Sequence, residues 1–194
     1  ELICEYFSSM DRQGPGSQDA TLRALSFIGS MHERSNIVDL GCGTGLGGEA
    51  FGDIVEVFDG LDLSREMVKI AAGKAIYNQL YCRNIVDFLR TSREHFDFFL
   101  AADVFAYVGD LEETFFLAKK KSDGQAIFCF STEKYDGEGY HLEQSGRFAH
   151  SSTYIAELAG LNGWDILATV TAGLRKEDGA WVQGDLWVLQ ALGQ

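Results

Sequence analysis

The chain has 194 residues, with 16 Lys plus Arg against 29 Asp plus Glu, and a formal net charge of −13. An acid surplus of that size argues against a nucleic-acid groove and against an anionic membrane surface, because both need a basic footprint. The length fits a single domain (1–194) with enough residues to bury a proper core. Four scattered cysteines, Cys4, Cys42, Cys82 and Cys129, form neither a disulfide framework nor a zinc-site pattern. No stretch reads as a signal peptide or as an apolar span of about 20 residues. Cytoplasm is therefore the expected location, and a small neutral or cationic molecule the expected partner of a monomer or homodimer.

Residues 1–35 read as an N-terminal helical cap in two pieces. Leu2, Ile3, Tyr6 and Phe7 share one apolar face, Gly14-Pro15-Gly16 breaks the chain, and Ser17 can cap a second helix carrying Leu22, Leu25 and Ile28. The run Asn36-Ile37-Val38-Asp39-Leu40-Gly41-Cys42-Gly43-Thr44-Gly45 follows. Its apolar start predicts a buried strand, and a turn so rich in glycine lets the backbone approach a ligand that any Cβ would hold off. Its place between strand and helix puts it at the carboxyl edge of an open parallel sheet, where such folds bind ligands. The spacing is not the G-x-G-x-x-G of dinucleotide turns, since Leu46 stands where the third glycine belongs, and no Gly-Lys-Ser/Thr follows to make a Walker A loop.

A short helix from Leu46 leads to a second strand, Ile54 to Asp62. Asp62 ends it at about the 20-residue distance from the glycine turn at which an acid meets a ribose in βαβ nucleotide folds. Ser64 can cap the next helix, with Met67, Ile70, Ala71 and Ala75 toward the sheet. Tyr81-Cys82-Arg83-Asn84 reads as the third strand and its exit. Phe96 to Asp103 is a buried fourth strand that again ends in small residues and an acid. Asp110 and Glu113 suggest a capping box, and Lys119 to Lys121 suit the helix C-terminus. Ala126 to Phe130 forms the fifth strand. The polar segment from Ser131 to His150, rich in glycine and aromatics, is expected to be an ordered, pocket-lining loop. Ser151 or Ser152 caps a last helix, and Asp165–Leu174 with Trp181–Ala191 makes a closing antiparallel pair.

D-x-G-x-G-x-G at the end of the first strand resembles motif I of the class I S-adenosylmethionine (SAM)-dependent methyltransferases. The resemblance implies an α/β, Rossmann-like, seven-stranded sheet of order 3-2-1-4-5-7-6, its last strand antiparallel, with helices on both faces. It also implies SAM as cofactor, S-adenosylhomocysteine (SAH) as product, no metal, and transfer of a methyl group to an O or N atom of a small molecule. Asp39 would approach the amino end of the methionine moiety, with Gly41, Cys42, Gly43, Thr44 and Gly45 wrapped around it. Asp62 would take both ribose hydroxyls, Leu63 and Met67 would pack beside the adenosine, and Asn84 would accept from the adenine amino group beside Ile85. Ala102, at the exit of strand four, would face the reactive end.

D-x-x-L-A-A-D-V-F-x-Y-x-G-D-L is similar to the methyltransferase domains found with tetratricopeptide repeats, as are residues 46–194 generally. E-Y-F-S-x-x-x-R-Q-G-P-G-S, within residues 1–45, resembles another small-molecule branch. The expected acceptor pocket is walled by Arg12 to Ser17, by Tyr107 and by the Ser131–His150 segment. Transfer from a sulfonium is mainly a problem of alignment, which can supply roughly 7–11 kcal/mol, and a general base would serve an acceptor that must lose a proton. His141 and His150 flank the expected loop and are the candidates, with fixing of the loop as their alternative role; His32 and His95 read as surface residues. Two other readings stay open: a SAM-binding protein without transferase activity, and a Rossmann-type enzyme of another class.

Overall fold

Short apolar strands alternating with helices call for a parallel sheet, because each crossover helix returns the chain to the same edge. The computed structural model describes residues 35–51, 55, 57–177 and 180–193 and has this form. In chain order it runs β1 (Asn36–Leu40), α1 (Leu46–Phe51), β2 (Val57–Asp62), α2 (Arg65–Gly73), β3 (Gln79–Cys82) and α3 (Ile85–Thr91). Then come β4 (Phe96–Ala101), a 3-10 turn (Phe105–Tyr107), α4 (Glu112–Lys120), β5 (Ser122–Lys134), β6 (Tyr140–Leu142), β7 (Phe148–His150), α5 (Ser152–Leu161), β8 (Trp164–Glu177) and β9 (Ala180–Ala191). The expected N-terminal cap and the Arg12–Ser17 wall lie outside the described residues, as does His32.

Strands β3, β2, β1, β4 and β5 lie parallel in that order; β9 adds antiparallel to β5, and β8 pairs with β9 at the edge. Counting β8 and β9 as strands six and seven, this is the expected 3-2-1-4-5-7-6 layer with its last strand antiparallel. Central strands are buried on both faces and so read as unbroken apolar runs. On β4 the side chains still alternate: Phe99 and Ala101 enter the larger core, while Phe98 and Leu100 enter a smaller one with Ile37 and Phe58. The larger core is aromatic, with Phe99, Phe115 and Trp164 all packed around Phe128 at centroid separations of 5.9, 5.5 and 5.5 Å. Among the described residues no helix is long and apolar enough to cross a membrane.

Four expectations need correction. The fifth strand is much longer than Ala126–Phe130, because β9 pairs with it as far as Glu133↔Gly184. The segment after it is not a plain loop, for Tyr140–Leu142 and Phe148–His150 form a hairpin with register His141↔Ala149. Since Glu133 pairs with both Gly184 and Ala149, this hairpin must lie on the β4 side of β5, where it continues that edge beyond the end of β4. The capping box does not form: Asp110 accepts from the Glu112 N–H at 2.9 Å, while Glu113 is drawn away to Arg90. Of the helix residues expected to face the sheet, Ala71 is buried but Ile70 is half exposed, and Ala75 lies beyond α2 with a positive φ of 55°.

Candidate functional site

Strand β1 delivers the glycine turn between the ends of β2 and β4. Gly41, Gly43 and Gly45 have φ of 82°, 53° and 87°, a region where a side chain costs roughly 1–2 kcal/mol. At Gly41 the need is also steric, since a Cβ there would meet Val104 Cγ2 at 2.3 Å. At Gly43 nothing lies within 4 Å of that position, so its bare backbone faces open space. The N–H groups of Gly41 and Cys42 both donate to Leu61 O at 2.8 Å, pinning the turn to the end of β2. Asp62 adds a second tie: its Oδ2 accepts from Gly43 N–H at 3.0 Å and its Oδ1 from Ser64 N–H at 2.8 Å. Ser64 in turn caps α2, accepting from Met67 N–H.

A cavity of about 860 Å³ opens over these strand ends, within the roughly 300–1,000 Å³ usual for ligand sites. Asp39, Gly41, Cys42, Gly43 and Thr44 line it from β1, and Asp62, Leu63 and Met67 from β2. Asn84 and Ile85 line it beyond β3, and Ala102, Asp103, Val104 and Tyr107 beyond β4. Gly45 does not line it; this glycine lets the turn pack closely on Ala71 and Tyr77. Leu63 is 74% and Met67 38% exposed, so one wall is apolar and uncovered. Asn84 Oδ1 accepts from Val86 N–H at 2.8 Å and caps α3, which gives it a structural job at the cavity edge.

Asp39 is buried and accepts from the Tyr77 hydroxyl at 2.7 Å; that hydroxyl accepts from Gly48 N–H at 3.0 Å. Burial pushes the Asp39 carboxyl up to about 7, the Tyr77 bond pulls it back, and the Asp62 charge adds to the rise. Burial and the Asp39 charge push the Tyr77 hydroxyl upward, so it remains a donor. The Cys42 thiol is pushed up to about 12, chiefly by burial and then by the same carboxylates, and stays protonated at neutral pH. Tyr77 is absent from the sequence-derived site. Its only signal was an aromatic residue in the turn before β3, which reads as ordinary packing.

At the other end Asp103 follows β4 with a positive φ of 54°, held by its N–H donating to Ser131 Oγ at 2.8 Å. Arg175 of β8 pairs with Asp103 Oδ1 at 2.8 Å and, through its other nitrogen, with the buried Glu133 of β5. Burial raises the Asp103 carboxyl above its ordinary value, and Arg175 opposes that rise. Arg147 lies 5.9 Å from the centre of the Tyr107 ring, which is 65% exposed. Asp103, Glu133 and Arg175 were not among the expected site residues, because they come together only through strand pairing.

The two candidate histidines are not among the residues that line the cavity. His141 is exposed on β6 and stacks on Tyr135. His150 is buried, and its Nε2 lies 3.0 Å from Val108 O and 2.9 Å from Gly109 O. Two carbonyls can only accept, so Nε2 carries the proton and the ring fixes the turn after Tyr107. Burial lowers the His150 imidazole below its ordinary value. His95 is exposed, as expected. Among the described residues no cluster of three or more His, Cys, Asp or Glu is placed to hold a metal.

Residues 38–121 match the family model described as a methyltransferase domain. With the sheet order above, the matched stretch makes the chain similar to SAM-dependent methyltransferases. Solved structures agree in fold. The chain is 15% identical to the N-methyltransferase NodS of Bradyrhizobium japonicum, crystallised with SAH, with TM-score 0.72 over 98% of this chain and 96% of that one. It is 16% identical to magnesium protoporphyrin IX methyltransferase of Synechocystis, with TM-score 0.66 over 90% and 78% of the two chains. It is 11% identical to an O-methyltransferase of a polyketide multienzyme of Brevibacillus brevis, with TM-score 0.72 over 90% and 73%. No curated protein sequence matches the chain.

Proposed function

We propose that the chain transfers a methyl group from SAM to an O or N atom of a small molecule. The observation that carries this reading is one cavity running across the ends of four strands, from Asn84 and Asp62 at one side to Asp103 and Tyr107 at the other. Its residues fit the cofactor. The bare backbone of Gly43 leaves room for a close approach, and the uncovered Leu63 and Met67 offer an apolar seat for a purine. Asp62 is aimed by two N–H groups and can still accept ribose hydroxyls, because each carboxylate oxygen has a second lone pair. Asp39, fixed by Tyr77, is the acceptor for the cofactor's amino group.

When bound, SAM supplies an electrophilic methyl carbon on a good leaving group. What the protein contributes is alignment: the β1 turn and the β2 acid fix the donor, and the exit of β4 fixes the acceptor. Isothermal titration calorimetry tests the assignment. SAM and SAH bind with dissociation constants on the order of micromolar, and NAD does not. Heat with NAD and none with SAM or SAH would overturn it.

A further inference from the structure

We propose that Asp103 holds the methyl acceptor, and that the acceptor is an amine which arrives as an ammonium ion and is methylated on nitrogen. This rests on the SAM-dependent reading and extends it to the far side of the cavity. Among the described residues three carboxylates line the cavity, Asp39, Asp62 and Asp103, against one guanidinium, Arg83. Asp39 is held by Tyr77 and Asp62 by the glycine turn, and both belong to the end assigned to the cofactor. Asp103 belongs to the other end, since β4 lies beside β1 with register Asp39↔Leu100.

Its conformation is imposed from outside. The left-handed φ of 54° is unfavourable for a residue other than glycine, and the bond to Ser131 Oγ and the Arg175 ion pair keep it there. A side chain so fixed presents lone pairs, and it can hold only a group that brings hydrogen. A carboxylate acceptor brings none and meets a like charge. Arg175 is engaged with both Asp103 and Glu133, and Arg147 sits over Tyr107. Among the described residues that line this end of the cavity Asp103 is the one charged group, which favours a cation over a neutral alcohol. The exposed Tyr107 ring, which already accommodates Arg147, adds a face suited to an alkylammonium.

The step balances. The ammonium gives one proton to the Asp103 carboxylate, and burial, which raises that carboxyl, favours the transfer. The freed nitrogen lone pair forms the N–C bond as the C–S bond breaks, and sulfur keeps the bonding pair as a neutral thioether. The product leaves as a methylammonium, and Asp103 returns its proton to water.

Calorimetry on the full chain saturated with SAH tests this without turnover. The probes are benzyl, phenylethyl and hexyl skeletons, each as amine, alcohol and carboxylate. The amines bind most tightly. Asp103→Asn, which keeps size and tolerance of the left-handed region, lowers amine affinity by about tenfold or more and leaves SAH affinity within about twofold. Asp103→Gly, which relieves the backbone, behaves alike and guards against a misfolded Asn variant. With SAM in place of SAH, mass spectrometry finds N-methyl products only from the amines. Preference for alcohols or carboxylates, no binding by any probe, or amine binding indifferent to both variants would overturn the inference while SAH still binds. No heat with SAH itself would instead overturn the reading beneath it.

Discussion

At the cofactor end of the cavity each polar group is settled by a neighbour in its own or the adjoining strand-turn-helix unit. Asp62 takes the N–H of Gly43 and of Ser64, Ser64 that of Met67, and Asn84 that of Val86. At the acceptor end the described side-chain contacts are long-range. Arg175 meets Asp103 across 72 positions of sequence and Glu133 across 42, and Arg147 reaches Tyr107 from the segment between β6 and β7. The first end is a property of motifs; the second is a property of the assembled sheet. Damage at the two ends should therefore read out differently, in SAH binding at one, and in stability and amine binding at the other.

The largest effect is expected from Arg175→Met. Glu133 is 6% exposed, and losing its cation leaves a buried carboxylate without that partner while Asp103 loses its anchor. Removing one member of such a group costs about 3–5 kcal/mol, visible as a lower midpoint in urea denaturation. SAH affinity should stay within about twofold, because the glycine turn and Asp62 are untouched. A variant as stable as the parent would mean that the acceptor end is held by something other than this ion-pair group.

Asp62→Ala is the mirror experiment and comes next in size. The two charge-assisted hydrogen bonds to ribose proposed for Asp62 would be removed and partly replaced by water, so SAH affinity is expected to fall by about 2–4 kcal/mol. Stability falls by less, about 1–2 kcal/mol, as Gly43 and Ser64 N–H groups lose their acceptor. Calorimetry and denaturation on one sample separate the two numbers. If affinity is unchanged, Asp62 serves the turn alone.

This contrast also explains what could be read from the sequence. Strand ends, the glycine turn and the two acids that line the cavity beside it were legible because period, composition and spacing act over a few residues, and the sheet order followed from the resemblance those motifs carry. Asp103 was visible only as a strand-end acid. Its partner Arg175 lay just past the expected end of the closing pair's first strand at Leu174, where one arginine carries no sign of a contact with β4. The Ser131–His150 segment looked like a loop because its apolar residues are sparse; pairing with β5 and between its own halves supplies the order that composition does not. His150 stood out as a titratable group, yet two carbonyl contacts engage it in structure.

The smallest effect, and the finest test of the cofactor end, is expected from Tyr77→Phe. The hydroxyl donates to Asp39 Oδ2 and accepts from Gly48 N–H, so its loss costs about 1 kcal/mol of stability. Its effect on pH dependence is more telling. The Asp39 carboxyl stands at about 7, above its ordinary 3.8. Its protonated form therefore favours the empty fold fully below 3.8, and that contribution is lost as pH rises through about 7. Cofactor binding has the opposite sign, because an ammonium group prefers the ionised carboxylate. SAH affinity should climb with pH to about 7 and then level off, with a proton released on binding below that point. Phenylalanine removes the bond that pulls the Asp39 carboxyl down, so the levelling point moves to higher pH, and affinity at pH 7 falls by roughly fivefold. Calorimetry across pH 5–9 in buffers of differing ionisation heat reads both the affinity and the proton. An affinity curve with the same midpoint in parent and variant would separate Asp39 from the amino group it is assigned to hold.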